Sequence, residues 1–191
     1  SLEDFDPNLS PDQISAFHDA DDPHIPAPDL LKGATTRIIY DLDCFTRSQK
    51  ENPEDHETWQ PVYAATLARE THLNEPLPPR GLKIQTSFSY SDGFGREIQK
   101  KIQAEPEKIN GVPGPPRWVG SGWTIFNNKG KPVRQYEPFF SKRKRPDNSL
   151  FSDHRFEFGI KEGVSTVLVY DPLGSVVAAQ HTNNTYEKVV C

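Results

Sequence analysis

The chain has 191 residues, a net charge of −5, 34% hydrophobic residues, 18 prolines and no methionine. The length fits one domain or part of a larger one, and the low apolar share implies a modest core between long polar connections. The acidic balance argues against general nucleic-acid affinity. No apolar run reaches the ~20 residues of a membrane-spanning helix, no secretory leader opens the chain, and Cys44 and Cys191 do not make a disulfide framework.

Residues 1–32 read as an extended acidic arm, with eight acids and no Lys or Arg through residue 29. One short helix is predicted inside it. Ser10 is its N-cap, Pro11 its first helical residue and Gln13 the capping-box partner, and it ends near His18. Asp22-Pro23, Pro26 and Pro28 then argue against regular structure. His18, Asp19, Asp21, Asp22 and His24 are metal-ligating residue types, but they lack a fixed ligand spacing, so no metal site is expected.

From residue 33 to 191 the pattern is that of an all-β chain of antiparallel hairpins. Thr35 to Tyr40 is β-branched and ends in an aromatic, a strand signal. Residues 46–58 are polar, contain Pro53 and read as an insertion loop. Val62 to Leu73 has a helical composition, but its place before a second strand favours a meander; it is taken as a strand. Lys83 to Tyr90 alternates, with Ile84, Thr86, Phe88 and Tyr90 on one face. Ser91 to Gly95 is a turn, and Arg96 to Ala104 returns. Residues 105–116 are Pro- and Gly-rich and read as a linker.

Trp118 to Phe126 is the next predicted strand, turned by Asn127 to Gly130, and Val133 to Phe140 returns with a break at Pro138. Lys142 to Arg145 is wholly basic. A nuclear signal or phosphate patch is one reading of such a run; Pro146, Asp147 and Asn148 favour a solvated loop without a ligand. Phe156 and Phe158 mark a short strand. Val164 to Tyr170, a turn at Asp171 to Gly174, Val176 to His181, a turn at Asn183-Asn184 and Tyr186 to Val190 complete the chain. The absent methionine and the strand running to Cys191 suggest an internal fragment.

Three hairpins share one plan: an aromatic, then a polar Asp, Asn or Ser, then glycine. Their repeat-turn residues are Tyr90, Asp92, Gly93 and Gly95; Phe126, Asn127 and Gly130; and Tyr170, Asp171 and Gly174. A fourth copy, Tyr40-Asp41, lacks the glycine. The aromatics are spaced unevenly, by 50, 36 and 44 residues, as in a repeat array with variable connectors. Each residue type has a physical reason. The ring covers a hairpin base, the Asp or Asn side chain bonds turn amides, and glycine takes a conformation that a Cβ penalises.

Tyr170-Asp-Pro-Leu-Gly174 resembles the YD (RHS) repeat. The strings from Tyr90 to Glu105, from Trp118 to Ser141 and from Tyr170 to Val190 resemble the B subunits of insecticidal Tc toxin complexes and the related virulence-plasmid B proteins. The resemblance runs from about Gly33 to the end. It implies a secreted, non-catalytic β-shell segment that helps enclose and deliver a cytotoxic cargo. It also implies three partners: the rest of the B-subunit shell, the toxin C subunit, and the A-subunit channel reached through a B-subunit propeller. Nucleic acid and a direct membrane span are not implied. Two departures stand out: the basic loop over 141–155, and Asp43-Cys44 where a glycine is expected.

The residues themselves suggest no catalyst and no cofactor. No Ser/His/Asp or Cys/His set has a motif context. Gly93-Phe94-Gly95 lacks the further glycine and the helix start of a phosphate loop. The arginine and paired glutamates of an ADP-ribosyltransferase are not visible, nor is the aspartate motif of self-cleaving C-subunit shells. The alternative is a carbohydrate-binding β module on which Trp118, Trp123, Tyr136, Phe139 and Phe140 would stack sugars; a shell would bury the same rings or line itself with them.

Overall fold

A computed structural model describes residues 6–70, 83–106, 108–109, 111–114, 117–145, 147–163 and 165–188. Helices α1 (Pro11–Asp19) and α2 (Ala27–Leu31) precede β1 (Thr36–Asp41); α3 (Cys44–Glu51) and a 3-10 turn (His56–Thr58) lead into β2 (Val62–Arg69). Next come β3 (Ile84–Ser91), β4 (Glu97–Ala104) and two short strands, β5 (Lys108–Ile109) and β6 (Val112–Pro113), within the expected linker. Then follow β7 (Arg117–Gly120), β8 (Thr124–Phe126), β9 (Pro132–Gln135) and β10 (Phe139–Phe140), and the pair β11 (Arg143–Lys144) and β12 (Leu150–Phe151). The last described strands are β13 (Val167–Tyr170), β14 (Val176–Gln180) and β15 (Tyr186–Lys188).

The fold is all-β and antiparallel. A six-stranded sheet, in the order β1-β2-β3-β4-β7-β10, carries the core; β13-β14-β15 form a separate three-stranded sheet, and β8-β9 a hairpin. The alternation of Ile84, Thr86, Phe88 and Tyr90 puts all four on the buried face of β3. They meet Ile39, Tyr63, Ala65, Leu67 and Trp118 there. Register decides the next strand. A bulge between Tyr90 and Ser91 sets Tyr90 opposite Gln99 and Phe88 opposite Lys101. Gln99 and Lys101 are therefore wholly buried, while Ile102 is 48% exposed. On β4 it is thus the polar Gln99 and Lys101 that face the core, while Ile102 faces outward and Ile98 packs at the core's edge.

The acidic tract is not an extended arm. The capping box forms as its residues dictate: Gln13 N–H donates to Ser10 Oγ (3.2 Å) and Ser10 N–H to Gln13 Oε1 (2.9 Å). Phe17 of α1 then stacks on Phe88 with ring centroids 5.5 Å apart. The prolines do not prevent a second helix, because Pro26 is the N-cap of α2 and Pro28 lies in its first turn, where a missing N–H costs nothing. Ala27 and Leu31 of α2 are buried.

Three further expectations are corrected. Residues 44–51 are helix α3 rather than loop. The predicted strand from Trp118 to Phe126 is two strands, broken where Gly122 takes φ +82°, so the chain leaves the large sheet for the β8-β9 hairpin. Phe156 and Phe158 lie in no strand. The expected strand over residues 62–73 runs to Arg69; residues 71–73, Val164, Val189 and Val190 lie outside the described residues.

Candidate functional site

Five hairpin turns share one backbone plan. Residue i donates its N–H to the carbonyl of i+4, and residue i+3 donates back to the carbonyl of i. This holds for Asp92 with Arg96 and Gly95, Asn127 with Lys131 and Gly130, Arg145 with Ser149 and Asn148, Asp171 with Ser175 and Gly174, and His181 with Thr185 and Asn184, at 2.8–3.1 Å. Residue i+3 is left-handed in each, from φ +64° at Asn148 and Asn184 to +92° at Gly174. Such a turn ends in a one-residue bulge, and the ladders shift register at Tyr90/Ser91, Ile125/Phe126 and Val169/Tyr170.

The Asp or Asn at position i closes the loop from within. Asp92 Oδ1 accepts from Phe94 N–H (2.9 Å) and Arg96 N–H (3.0 Å), Asn127 Oδ1 from Lys129 and Lys131 N–H (3.0 Å each), and Asp171 Oδ1 from Ser175 N–H (2.8 Å). In the turns after Arg145 and His181 the acceptor sits two residues later. Asp147 Oδ1 takes Ser149 N–H (2.8 Å) and Asn183 Oδ1 takes Thr185 N–H (3.0 Å). The aromatic–Asp–Gly pattern does not flag those two as copies because asparagine fills the glycine position.

The aromatic positions are not equivalent. Phe126 and Tyr170 directly precede position i, but Tyr90 lies two residues before Asp92 and is buried in the core, so Ser91 is their counterpart. Gly93 is not in the left-handed region, in contrast to Gly95 at φ +74°. Tyr40-Asp41 forms no hairpin. Tyr40 is 60% exposed, while buried Asp41 accepts two bonds from Arg47 of α3, at 2.9 and 2.6 Å, which carries the chain into a helix.

The other three repeat turns are brought into a row. The Arg96 guanidinium pairs with Asp92 (2.6 Å) and lies 4.5 Å from the Phe126 ring centroid, joining the first turn to the second. Lys129 Nζ donates to Pro172 O (2.7 Å) and Tyr170 Oη to Pro132 O (2.7 Å), joining the second to the third.

A second constellation lies beneath the large sheet. Residues 152–157 cross its buried face without regular structure, held by side chains. Gln60 and Gln99 each use an amide to pair with main chain: Gln60 with Phe156 (3.3 and 3.0 Å) and Gln99 with Glu157 (3.1 and 3.0 Å). Tyr90 Oη donates to His154 O (3.1 Å), Trp118 N–H to Ser152 Oγ (2.7 Å) and Asp153 N–H to Ser141 Oγ (3.0 Å). Lys101 pairs with Glu157 and donates to Asp153 O (3.3 Å); burial pushes its pKa down against the pull of Glu157.

Asp153 is 2% exposed and is met by Arg143 at 2.6 Å and Arg155 at 3.5 Å. Burial raises its pKa, but the Arg155 charge and N–H, with His154 and Arg143, outweigh that and hold it below the ordinary carboxylate range. The basic run is therefore not all solvated loop. Arg143 anchors the buried Asp153, Arg143 and Lys144 pair with β12, and Arg145 lies over the Phe151 ring at 4.6 Å. Lys142 and Lys144 are exposed.

The sugar-stacking platform does not form. Trp118, Tyr136 and Phe139 are 1%, 8% and 8% exposed, and Trp123 packs on Phe158 with centroids 5.5 Å apart. Phe140 alone of the five is exposed, under the Arg117 guanidinium at 4.7 Å. Among the described residues no three His, Cys, Asp or Glu side chains gather to hold a metal ion, and no helix is long and apolar enough to cross a membrane.

No protein-family profile matches this chain, and no curated protein does. Solved structures do. The chain is similar to the crystal structure of TcdB2-TccC3, with a TM-score of 0.58 and 22% identity over 96% of this chain and 8% of that one. Crystal structures of TcdB2-TccC3 without the hypervariable C-terminal region and of TcdB2-TccC3-TEV match at TM-scores of 0.51 and 0.54, with 23% and 22% identity. They cover 75% and 76% of this chain. The chain spans less than a tenth of the length of each of these proteins, and shares its all-β fold with a stretch of these Tc toxin complex structures.

Proposed function

We propose that this chain is a non-catalytic wall segment of a YD-repeat shell in a secreted Tc-type toxin complex, where it helps enclose and deliver a cytotoxic cargo. The row of three hairpin tips carries the reading. Asp92, Asn127 and Asp171 each close a hairpin with the same internal bonds, and Arg96, Lys129 and Tyr170 tie successive tips side by side. Repetition of one unit against the next is how an array encloses a volume larger than any one domain. The likeness to a stretch of Tc toxin complex structures over 96% of the chain supports the same reading.

The two faces of the large sheet fit a wall. One is sealed by α1, α2 and residues 152–157; the other presents Ile38, Tyr40, Ile102 and Phe140 at 48–60% exposure. The charged groups beneath the sheet serve structure: buried Lys101 pairs with Glu157 and bonds to main chain, and buried Asp153 pairs with the half-exposed Arg143. The partners in this reading are the adjoining B-subunit shell, the C subunit and, through a propeller, the A-subunit channel. The test is co-expression with the adjoining shell and a Tc-type C subunit, followed by size-exclusion chromatography and mass spectrometry. Elution of the chain within the large particle is expected; a stable monomer that stays out of it would overturn the reading.

A further inference from the structure

We propose that residues 152–157 form an acid-released latch, closed on the underside of the large sheet while His154 is neutral and lifted when His154 takes a proton. The inference stands on the latch itself and not on the shell reading.

His154 is fully buried, with ring centroids 4.7 Å from Phe88, 5.6 Å from Trp118 and 5.7 Å from His18. Its Nε2 lies 2.9 Å from the His18 carbonyl, which can only accept, so Nε2 carries the proton. Nδ1 is then a bare acceptor, and it has no hydrogen-bond partner. A second proton must go there. The facing group is Asp153 Oδ1 at 3.6 Å, beyond hydrogen-bond range. His18 Nε2, on the neighbouring ring, is also buried without a partner, while its Nδ1 lies 3.5 Å from Asp19. Two imidazoles thus share one apolar pocket.

The charges around the pocket leave nothing over for an imidazolium. The latch supplies Asp153, Arg155 and Glu157; β11 supplies Arg143; β4 supplies Lys101; α1 supplies Asp19. Those three cations and three carboxylates already balance. The remaining titratable neighbours are Tyr63 on β2, against His18, and Tyr90 on β3, bonded to the latch. Cys44 and Arg47 on α3 and Asp41 on β1 surround these tyrosines, Arg47 and Asp41 being paired with each other. His24, between α1 and α2, lies 5.8 Å from the Trp118 ring and is paired with Asp22.

Burial pushes the His154 pKa from 6.5 down to about 3, outweighing the attraction of Asp153. The sign follows. The open chain binds a proton near pH 6.5 and the closed latch does not, so closure weakens as pH falls below about 6.5, by about tenfold per pH unit. Release would also loosen the end of α1, which the latch holds through His154 to His18 O and through Arg155 Nη2 to Asp19 O (2.7 Å).

The test uses endoproteinase Glu-C, which cuts after glutamate at both neutral and mildly acidic pH. The rate of cutting after Glu157, located by mass spectrometry and normalised to the urea-unfolded chain, is measured from pH 7.5 to 5. It should climb about tenfold per pH unit below 6.5 in the wild type. His154→Gln should flatten that slope, and His24→Gln should leave it unchanged. A wild-type rate that does not change with pH overturns the proposal without any variant, and so does a His154→Gln protein that keeps the wild-type slope. If His154→Gln does not fold, the imidazole titration of wild-type His154 by NMR replaces it. A midpoint near 6.5 with the latch still closed would then refute the mechanism.

Discussion

Gln99 and Glu157, 58 residues apart, pair as two strands would: the Gln99 amide donates to Glu157 O at 3.1 Å and accepts from Glu157 N–H at 3.0 Å. A side chain thus completes the hydrogen bonding of a main-chain segment that joins no sheet. Replacing Gln99 with Leu keeps the volume and leaves both groups unpaired in the core. Each such group costs about 1–3 kcal/mol, so Gln99→Leu should destabilise by about 2–6 kcal/mol in urea unfolding. Gln85→Leu, at an exposed position of β3, should stay within about 0.5 kcal/mol. Equal midpoints for the two would show that the amide pairing contributes nothing.

The glycines should separate into classes under Ala substitution. Gly130 and Gly174 have φ of +76° and +92°, so Ala at either is expected to cost about 1 kcal/mol or more. Gly93, with open space around its Cβ position and no left-handed backbone, should tolerate Ala with little change. Gly122→Ala should be the worst, because a Cβ there overlaps the Tyr136 carbonyl as well as meeting φ +82°. Thermal melts of the four variants would check this order.

Within the basic run, the change should fall on one residue. Lys142→Gln and Lys144→Gln remove exposed charges and should move stability by under about 0.5 kcal/mol. Arg143→Gln takes the nearer of two arginines from Asp153, which is 2% exposed, and leaves that carboxylate to Arg155 alone at 3.5 Å, so it should be the most destabilising of the three. Because Asp153 has a lowered pKa, the stability it supplies is present above the ordinary carboxylate value and lost as pH falls through its folded value. The difference between wild type and Arg143→Gln should therefore shrink below about pH 4. A urea series at pH 7 and pH 3 that shows the same gap would count against the pairing.

The strand pattern of β3 was legible because Ile84, Thr86, Phe88 and Tyr90 alternate without exception, and the turns were legible because Gly130 and Gly174 follow Asn127 and Asp171 at the same offset. The inward face of β4 was not. Its own pattern makes Ile98 and Ile102 the core residues, and only the bulge beside Tyr90 turns Gln99 and Lys101 inward. The latch was less visible still. Its partners Gln60 and Gln99 lie 96 and 58 residues away, and nothing local to residues 152–157 announces them. The acidic tract misled because most of its described acids, Asp6, Asp12, Asp19, Asp21 and Asp29, are exposed, while its apolar residues Phe17, Ala27, Leu30 and Leu31 are the ones that dock.

Cys44 should be unreactive in the folded chain. It is 3% exposed, and burial, with Asp41 nearby, pushes its thiol up to about 12. In a Cys191→Ser background, an aromatic disulfide reagent at pH 8 should label no thiol in buffer and one in urea, since the thiolate is the nucleophile. The unfolded thiol ionises near pH 8.5 and the folded one does not, so this residue takes stability away as pH rises above about 8.5. Rapid native labelling would place Cys44 in contact with solvent.

The three-stranded sheet should be the least stable described part of the chain. None of the side chains described between residues 165 and 188 is buried; Val169 is 47% exposed and Tyr186 70%. Its strands are joined by two bulge turns, at Asp171 and His181, and it touches the rest through β9, Tyr170 Oη and Lys129. Local stability follows buried apolar contact more than the number of backbone bonds. Amides of Val169 and Ala178 should therefore exchange by local opening, while those of Leu67 and Phe88, both fully buried, exchange at the rate of global unfolding. Under the proposed shell reading, neighbours would supply the missing cover, so protection at Val169 and Ala178 should rise when the chain is co-assembled with the adjoining shell and stay constant at Phe88. Protection at Val169 equal to that at Phe88 in the isolated chain would mean that the sheet needs no neighbour, and would remove one reason for placing the chain in a shell.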